Sequence, residues 1–362
     1  MALTPNDLLA DPLFQLNAVL WLAQPLPKQH DVTPLLFQQG FTVYAIAPLL
    51  APPPDVRLAA QVAEISMQER TRPDVVLSNE RDGKFAFVEC KASSFTLASS
   101  DTPEQARTLL VVAGPRAAEV LGLTPQQLLE SLLVFVTPET GREQLAQTLA
   151  DLSKELGDNR LPAGRSSVLG LTCGDNDVSI VVNDEATRFF GLVAGSNPFI
   201  IREPDTDPRP LYFLPYDPDV DQTDGERAFC KRVLFERMHG TVIAAVGHAN
   251  PPAQLTFESA RILNDAMLGM YGHWQNPDSA KHMRALCRQL MVAIAQAVNS
   301  VVVGTMVFQS AQGWTITLHD QEHQEKVMDA LDRFSCSTLD LRGKPEPGLF
   351  DGFEDDLTTP AS

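Results

Sequence analysis

Positive charge is scarce in this chain. Among its 362 residues, Lys and Arg together number 28 and Asp and Glu number 46, so the formal net charge at pH 7 is −18. A chain this acidic does not attract DNA or an anionic membrane through its overall field. Any contact with nucleic acid therefore requires a local patch, a bound metal ion or a partner.

The sequence also has no pattern typical of a disulfide framework, a signal peptide or a membrane span. The five cysteines stand singly without a CxxC pair, which favours a reducing compartment and neither a disulfide framework nor a zinc site. The N-terminus has no basic stretch followed by an apolar one, so no signal peptide is expected. Residues 289–319 carry no formal charge, but Asn299 and Ser300 interrupt them. We therefore predict a buried helix followed by a strand there, and a cytoplasmic protein without membrane contact.

The order of the sequence patterns indicates two domains and a tail. Residues 1–160 alternate helical and strand-like segments, including a strand at 57–68, which predicts an α/β domain. Residues 161–342 combine strands near a Gly174-Asp175 turn with later helices and a hairpin, which predicts an α+β domain for recognition or assembly. Residues 343–362 are rich in Pro, Gly and acidic residues, and are expected to form a disordered acidic tail.

Part of the second domain is similar to a winged-helix layout. Helices within residues 256–298 precede a predicted hairpin at 301–318, and Lys281, Arg284 and Arg288 lie near one helical face. These three side chains could contact phosphates. Alternatively, the helices form a core layer or a partner surface. The acidic balance of this half favours the second interpretation.

The chemically informative segment is a pair of predicted strands at 73–78 and 85–91. A hairpin centred on the Asp82-Gly83 turn would place Asp74 opposite Lys91 and Val76 opposite Glu89. The alternation of a strand then puts Asp74, Glu89 and Lys91 on one face and an apolar set on the other. Two carboxylates at this separation suit Mg²⁺, which would activate a bound water for attack on a phosphodiester. The lysine would orient or help to deprotonate that water and stabilise the developing charge.

At these residues the sequence resembles the PD-(D/E)XK nuclease superfamily, the restriction-endonuclease-like fold. Pro73-Asp74 and Glu89-Cys90-Lys91 match its signature. The resemblance implies a mixed sheet flanked by helices, dependence on Mg²⁺ (with Mn²⁺ as the alternative) and cleavage of nucleic acid. It further implies that Asp74, Glu89 and the Cys90 carbonyl hold metal, that Lys91 assists the attacking water, and that Gln105 is a site residue.

Several points stay open from the sequence alone. Asp74 and Lys91 would also fit a cross-strand ion pair, although Phe85 and Phe87 predict that their face is partly buried. A capping box with Thr102 would also explain Gln105. Members of the superfamily often carry an acid on the first helix, and the stand-ins here, which leave the number of metals open, are Asp7, Asp11, Asp31, Glu64 and Glu69.

The patterns together with this resemblance predict a metal-dependent nuclease with DNA favoured over RNA as its nucleic acid, assisted by a protein partner or by homo-oligomerisation. The resemblance suggests a setting in antiviral defence, restriction or DNA repair. The alternative is a nuclease-like scaffold without turnover that serves as a binding or regulatory subunit. The basic residues nearest the motif in sequence, expected to contact phosphates, are Arg70, Arg72, Lys84 and Arg107.

Overall fold

The computed structural model describes residues 5–26, 32–97, 102–201, 208–220, 222–309 and 313–339. The chain divides into two units, of which the first runs to Pro208 and includes His273–Asn276, and the second holds the remainder. The tail expected at 343–362 lies outside the described residues.

The first unit alternates helices and strands. Its helices are α1 (Pro5–Ala10), α2 (Pro12–Ala23), α3 (Leu35–Gln38), α4 (Pro54–Val62), α5 (Thr102–Val112), α6 (Ala117–Val120), α7 (Glu139–Asp158) and α8 (Asp184–Phe190). Its strands are β1 (Thr42–Ile46), β2 (Val75–Asn79), β3 (Lys84–Cys90), β4 (Glu130–Pro138), β5 (Ser166–Cys173), β6 (Asp177–Val182) and β7 (Gly195–Ile201).

Within the described residues, the seven strands form one mixed sheet in sequence order. The pairs β3–β4 and β4–β5 are parallel, and the other neighbouring pairs are antiparallel. Each parallel pair is joined through a helix, since α5 precedes β4 and α7 precedes β5. The expected mixed α/β class is confirmed. The boundary expected at residue 160 falls inside this sheet, because β5, β6 and β7 all follow it.

Both faces of the sheet are covered, which determines where polar groups lie. On one face, Val76, Phe85 and Phe87 belong to a buried cluster that also includes side chains from α4, α5 and α7. The helix α2 contacts β1 and β3 and contributes nothing to that cluster, so we place it on the other face. Every residue from Leu13 to Ala23 is buried, as expected for a helix that is apolar on nearly all sides.

Two local expectations for the first unit are wrong. The strand predicted at 57–68 is the helix α4, because Pro54 occupies its first turn and Val56 and Ala60 present one buried face at helical spacing. The helix predicted to begin at Thr124 is absent from residues 124–129. There the Gln127 side chain accepts a hydrogen bond from the Thr124 N–H at 2.9 Å. This bond closes a single turn, and the chain then enters β4.

The second unit consists of helices and a small sheet. Its elements are α9 (Asp224–Gly247), β8 (Ala253–Phe257), α10 (Ser259–Ala266), α11 (Pro277–Val301), β9 (Met306–Gln309), β10 (Gly313–Leu318) and α12 (Gln321–Arg333). The strands lie in the order β8-β10-β9. The predicted hairpin is confirmed as β9–β10. The strand β8 was not predicted, and its last two residues were included in the helix predicted to begin at 256. Among the described residues, no helix combines the length and hydropathy needed to cross a bilayer.

Candidate active site

The hairpin β2–β3 has a different register from the one predicted. Val76 pairs with Phe87 rather than with Glu89, and Asn79 pairs with Lys84 across a four-residue loop at 80–83. The loop is longer than a two-residue turn because the Asn79 side chain accepts from the Asp82 N–H at 3.2 Å and Gly83 adopts φ +61°. The register moves by two residues, which is one full period of a strand, so the shared face of the three predicted residues is preserved.

The structure places Asp74 beside the end of β3. Asp74 directly precedes β2, one position beyond the Val75–Val88 pair, so it lies next to Glu89 rather than opposite Lys91. Its Oδ2 accepts a hydrogen bond from the Cys90 N–H at 2.6 Å, and its carbonyl accepts from the Ala47 N–H at 2.9 Å. Asp74 is therefore held by the chain on both sides of β2, and its carboxylate position is determined by the sheet.

Glu89 is buried and only half satisfied. The residue is 3% exposed. Its Oε1 lies 2.8 Å from Lys91 Nζ and accepts a hydrogen bond from Gln105 Nε2 at 2.8 Å. Its Oε2 is buried and has no hydrogen-bond partner among the described residues. A buried carboxylate oxygen without a partner costs free energy, so this atom marks a position where a ligand would be favoured.

Gln105 connects the two charged groups from α5. Its Oε1 accepts from Lys91 Nζ at 2.9 Å while its Nε2 donates to Glu89. The charges of these two neighbours fix the orientation of the amide. Both polar atoms are thus engaged at the site, and the helix itself begins at Thr102, so the capping-box explanation is not the one the structure supports.

The electrostatics of the cluster follow from burial and from the two facing carboxylates. Burial and the neighbouring Asp74 raise the pKa of Glu89 to about 7, against the opposing effects of Lys91 and Gln105. Burial alone would lower the pKa of Lys91, but Glu89 and Asp74 outweigh it and raise this pKa above its ordinary value. Lys91 is therefore an ammonium at neutral pH, suited to donate hydrogen bonds rather than to accept a proton.

The donor set fits a hard divalent cation. Asp74 and Glu89 offer carboxylate oxygens, which are the ligands that Mg²⁺ prefers, and water would complete its coordination. The unpartnered Glu89 Oε2 is the observation that supports this fit. Among the described residues there is no group of three or more His, Cys, Asp or Glu side chains that could hold a metal. The Cys90 thiol is buried, and burial raises its pKa. The carbonyl ligand predicted at Cys90 stays a prediction.

The structure does not bring all four predicted phosphate contacts to the site. Lys84 begins β3, at the opposite end from Glu89, and its Nζ donates to the Phe189 carbonyl at 2.9 Å. Arg107 forms a bidentate ion pair with Glu155 on α7. Arg70 and Arg72 lie on the segment that leads into Asp74, and Arg70 lines a groove of about 420 Å³ with the prolines 52–54.

Of the acids suggested as additional ligands, Asp11 and Glu69 have partners away from the cluster, and Asp31 lies outside the described residues. Asp11 caps α2 by accepting from the Leu13 N–H at 2.9 Å. Glu69 pairs with Arg57 at 3.5 Å. Glu64 adopts a left-handed backbone at φ +57°, just after α4. Asp7 lies on α1, and Asp31 falls in a part of the chain that the structure does not describe.

Gln15 is the site neighbour that sequence reasoning missed. It lies on α2, and its Nε2 donates to the Lys91 carbonyl at 2.9 Å. Its signal in the sequence was a polar residue inside an otherwise apolar helix, shared only with Asn17.

Comparison with known proteins adds no further assignment: no protein-family model, curated protein or solved structure matches this chain.

Proposed function

We propose that this chain is a metal-dependent nuclease of the PD-(D/E)XK type that hydrolyses phosphodiester bonds in nucleic acid, with DNA as the favoured substrate. The observation that carries the proposal is the half-satisfied Glu89 carboxylate, which is buried next to Asp74 and Lys91 with one oxygen unpartnered. Most buried polar atoms have a hydrogen-bond partner, so the unpartnered oxygen is where a ligand would be favoured.

Each side chain has a role that its contacts support. Asp74 and Glu89 would hold Mg²⁺ or Mn²⁺, with the Cys90 carbonyl as a further ligand. Such an ion lowers the pKa of a bound water and offsets charge on a phosphate oxygen. The Lys91 ammonium lies in the same site. There it would orient the attacking water and donate a hydrogen bond to the developing negative charge. Gln105 keeps Lys91 and Glu89 in this arrangement.

Incubation with nucleic acid tests the proposal. Single-stranded and double-stranded DNA and RNA are each incubated with the full chain and Mg²⁺ or Mn²⁺. We expect cleavage that falls about 100-fold or more in Asp74→Asn, Glu89→Gln and Lys91→Met, a typical loss when a group that stabilises a transition state is removed.

Lys84→Met is the matched control for Lys91→Met. Lys84 is the first residue of β3 and Lys91 directly follows the strand, and their side-chain exposure is similar, 25% for Lys84 and 22% for Lys91. We expect Lys84→Met to cleave at the wild-type rate. Cleavage that continues unchanged in all three site variants would refute the assignment of this site.

The second candidate is a nuclease-like binding or regulatory subunit without turnover. It is favoured by the 2.8 Å Lys91–Glu89 contact, in which the ammonium offsets the carboxylate charge without a metal ion. This alternative predicts that calorimetry detects no Mg²⁺ or Mn²⁺ binding to the wild-type chain. The nuclease proposal predicts binding that Asp74→Asn abolishes.

A further inference from the structure

A buried amide reaches the candidate site from the helical layer on the other face of the sheet. Gln15 is fully buried on α2. Its Nε2 donates to two main-chain carbonyls, that of Leu9 at 2.7 Å and that of Lys91 at 2.9 Å. Leu9 lies in the last turn of α1, where helix carbonyls lack partners within the helix. One side chain thus joins the end of α1 to the residue that carries the ammonium.

Lys91 lies where β3 has ended. Its N–H still donates to the Val136 carbonyl on β4 at 2.8 Å, but Cys90 is the last residue of the strand. Gln15 supplies a partner for the Lys91 carbonyl. The Lys91 main chain is therefore bonded on one side to the sheet and on the other to α2.

We propose that Gln15 is a positioning residue that fixes the Lys91 main chain, and through it the lysine ammonium, at the candidate active site. The inference rests on the proposed function for its catalytic consequence. A side chain as long as lysine reaches Glu89 and Gln105 at 2.8–2.9 Å only while its own backbone stays in place. An amide suits this task because it donates two hydrogen bonds and carries no charge that would have to be buried.

Asn17 provides a matched control on the same helix. It is also fully buried, and its Nδ2 donates to the Leu13 carbonyl at 2.8 Å, which lies within α2. Gln15→Met and Asn17→Leu both replace a buried amide with an apolar side chain of similar size. Gln15→Met removes the bonds to the Leu9 and Lys91 carbonyls, whereas Asn17→Leu removes the bond to the Leu13 carbonyl within the helix.

Amide hydrogen exchange on the full chain measures the positioning without requiring activity. In Gln15→Met we expect the Lys91 amide to exchange about tenfold faster or more, the effect of losing roughly one buried hydrogen bond. In Asn17→Leu we expect that amide to keep its wild-type rate. Equal exchange at Lys91 in Gln15→Met and the wild type would overturn the proposal, and so would equal acceleration in both variants.

Metal binding and cleavage separate this role from a loss of the whole site. Asp74 accepts from the Cys90 N–H and Glu89 lies in the β3–β4 ladder, so Gln15→Met should still bind Mn²⁺ in calorimetry. The cleavage rate kcat should fall about tenfold while KM changes little, the signature of a lost transition-state interaction. If the wild type cleaves none of the nucleic acids, the nuclease proposal fails while the exchange result still decides the positioning of Lys91.

Discussion

Metal binding at the candidate site should release a proton, because Glu89 must ionise before it can hold a cation. Burial and Asp74 raise its pKa to about 7, so the free protein carries this carboxyl largely protonated under mildly acidic conditions. For a pKa of 7, about 0.9 of the groups are protonated at pH 6 and about 0.1 at pH 8. The apparent affinity for Mn²⁺ should therefore rise about tenfold between pH 6 and pH 8.

Isothermal titration calorimetry measures this linkage directly. Titrations at pH 6 and at pH 8, each in two buffers of different ionisation enthalpy, give the number of protons released per bound ion. This number is expected to be about 0.9 at pH 6 and about 0.1 at pH 8. Asp217 supplies the matched control, since burial also raises the pKa of this carboxyl to about 7 and the residue belongs to the second unit. Asp217→Asn should leave proton release unchanged. An affinity that does not vary with pH, or release that Asp217→Asn removes, would refute the role assigned to Glu89.

Three further predictions follow from individual contacts. Asp217→Asn should match the wild type in unfolding free energy near pH 4 and exceed it by about 2–4 kcal/mol at pH 8.5 in urea denaturation, because a raised carboxyl pKa costs the folded state stability as pH rises through it. Gly83→Ala should destabilise the protein by about 1–2 kcal/mol in the same assay without changing metal affinity, since Gly83 has φ +61° and an added Cβ would lie 2.8 Å from Leu129. Gln105→Met should move the midpoint of metal-linked proton release to higher pH, because the Gln105 hydrogen bond lowers the pKa of Glu89.

The position of the site in the fold was predictable because strand periodicity is short and robust. Alternating residues placed Asp74, Glu89 and Lys91 on one face, and a register error of two residues left that face unchanged. The register itself was not predictable, since it depends on the Asn79 side chain closing a longer loop. A single Asp-Gly pair carries no information about that contact.

Contacts between distant segments were beyond the reach of sequence patterns. The role of Gln105 depends on α5 delivering both ends of its amide to β3, and that of Gln15 on α2 meeting the end of the same strand. Sequence reasoning misplaced Lys84 and Arg107 for the same reason, because proximity in sequence to Asp74 says little about position in a sheet. Lys84 is close in sequence but lies at the far end of β3.

The charge of the site bears on how so acidic a protein would meet nucleic acid. With both carboxylates ionised, Asp74, Glu89 and Lys91 together carry −1, which repels phosphate as does the net charge of −18. A bound divalent cation would change that local charge to +1, so we expect nucleic-acid binding at this site to require the metal. Fluorescence anisotropy of a labelled oligonucleotide should show binding with Ca²⁺, used to limit cleavage, and little with EDTA. Asp74→Asn should bind weakly under both conditions. Equal binding with EDTA and with Ca²⁺ would place the nucleic-acid contact elsewhere, because the contact surface would then attract phosphate without a bound metal ion.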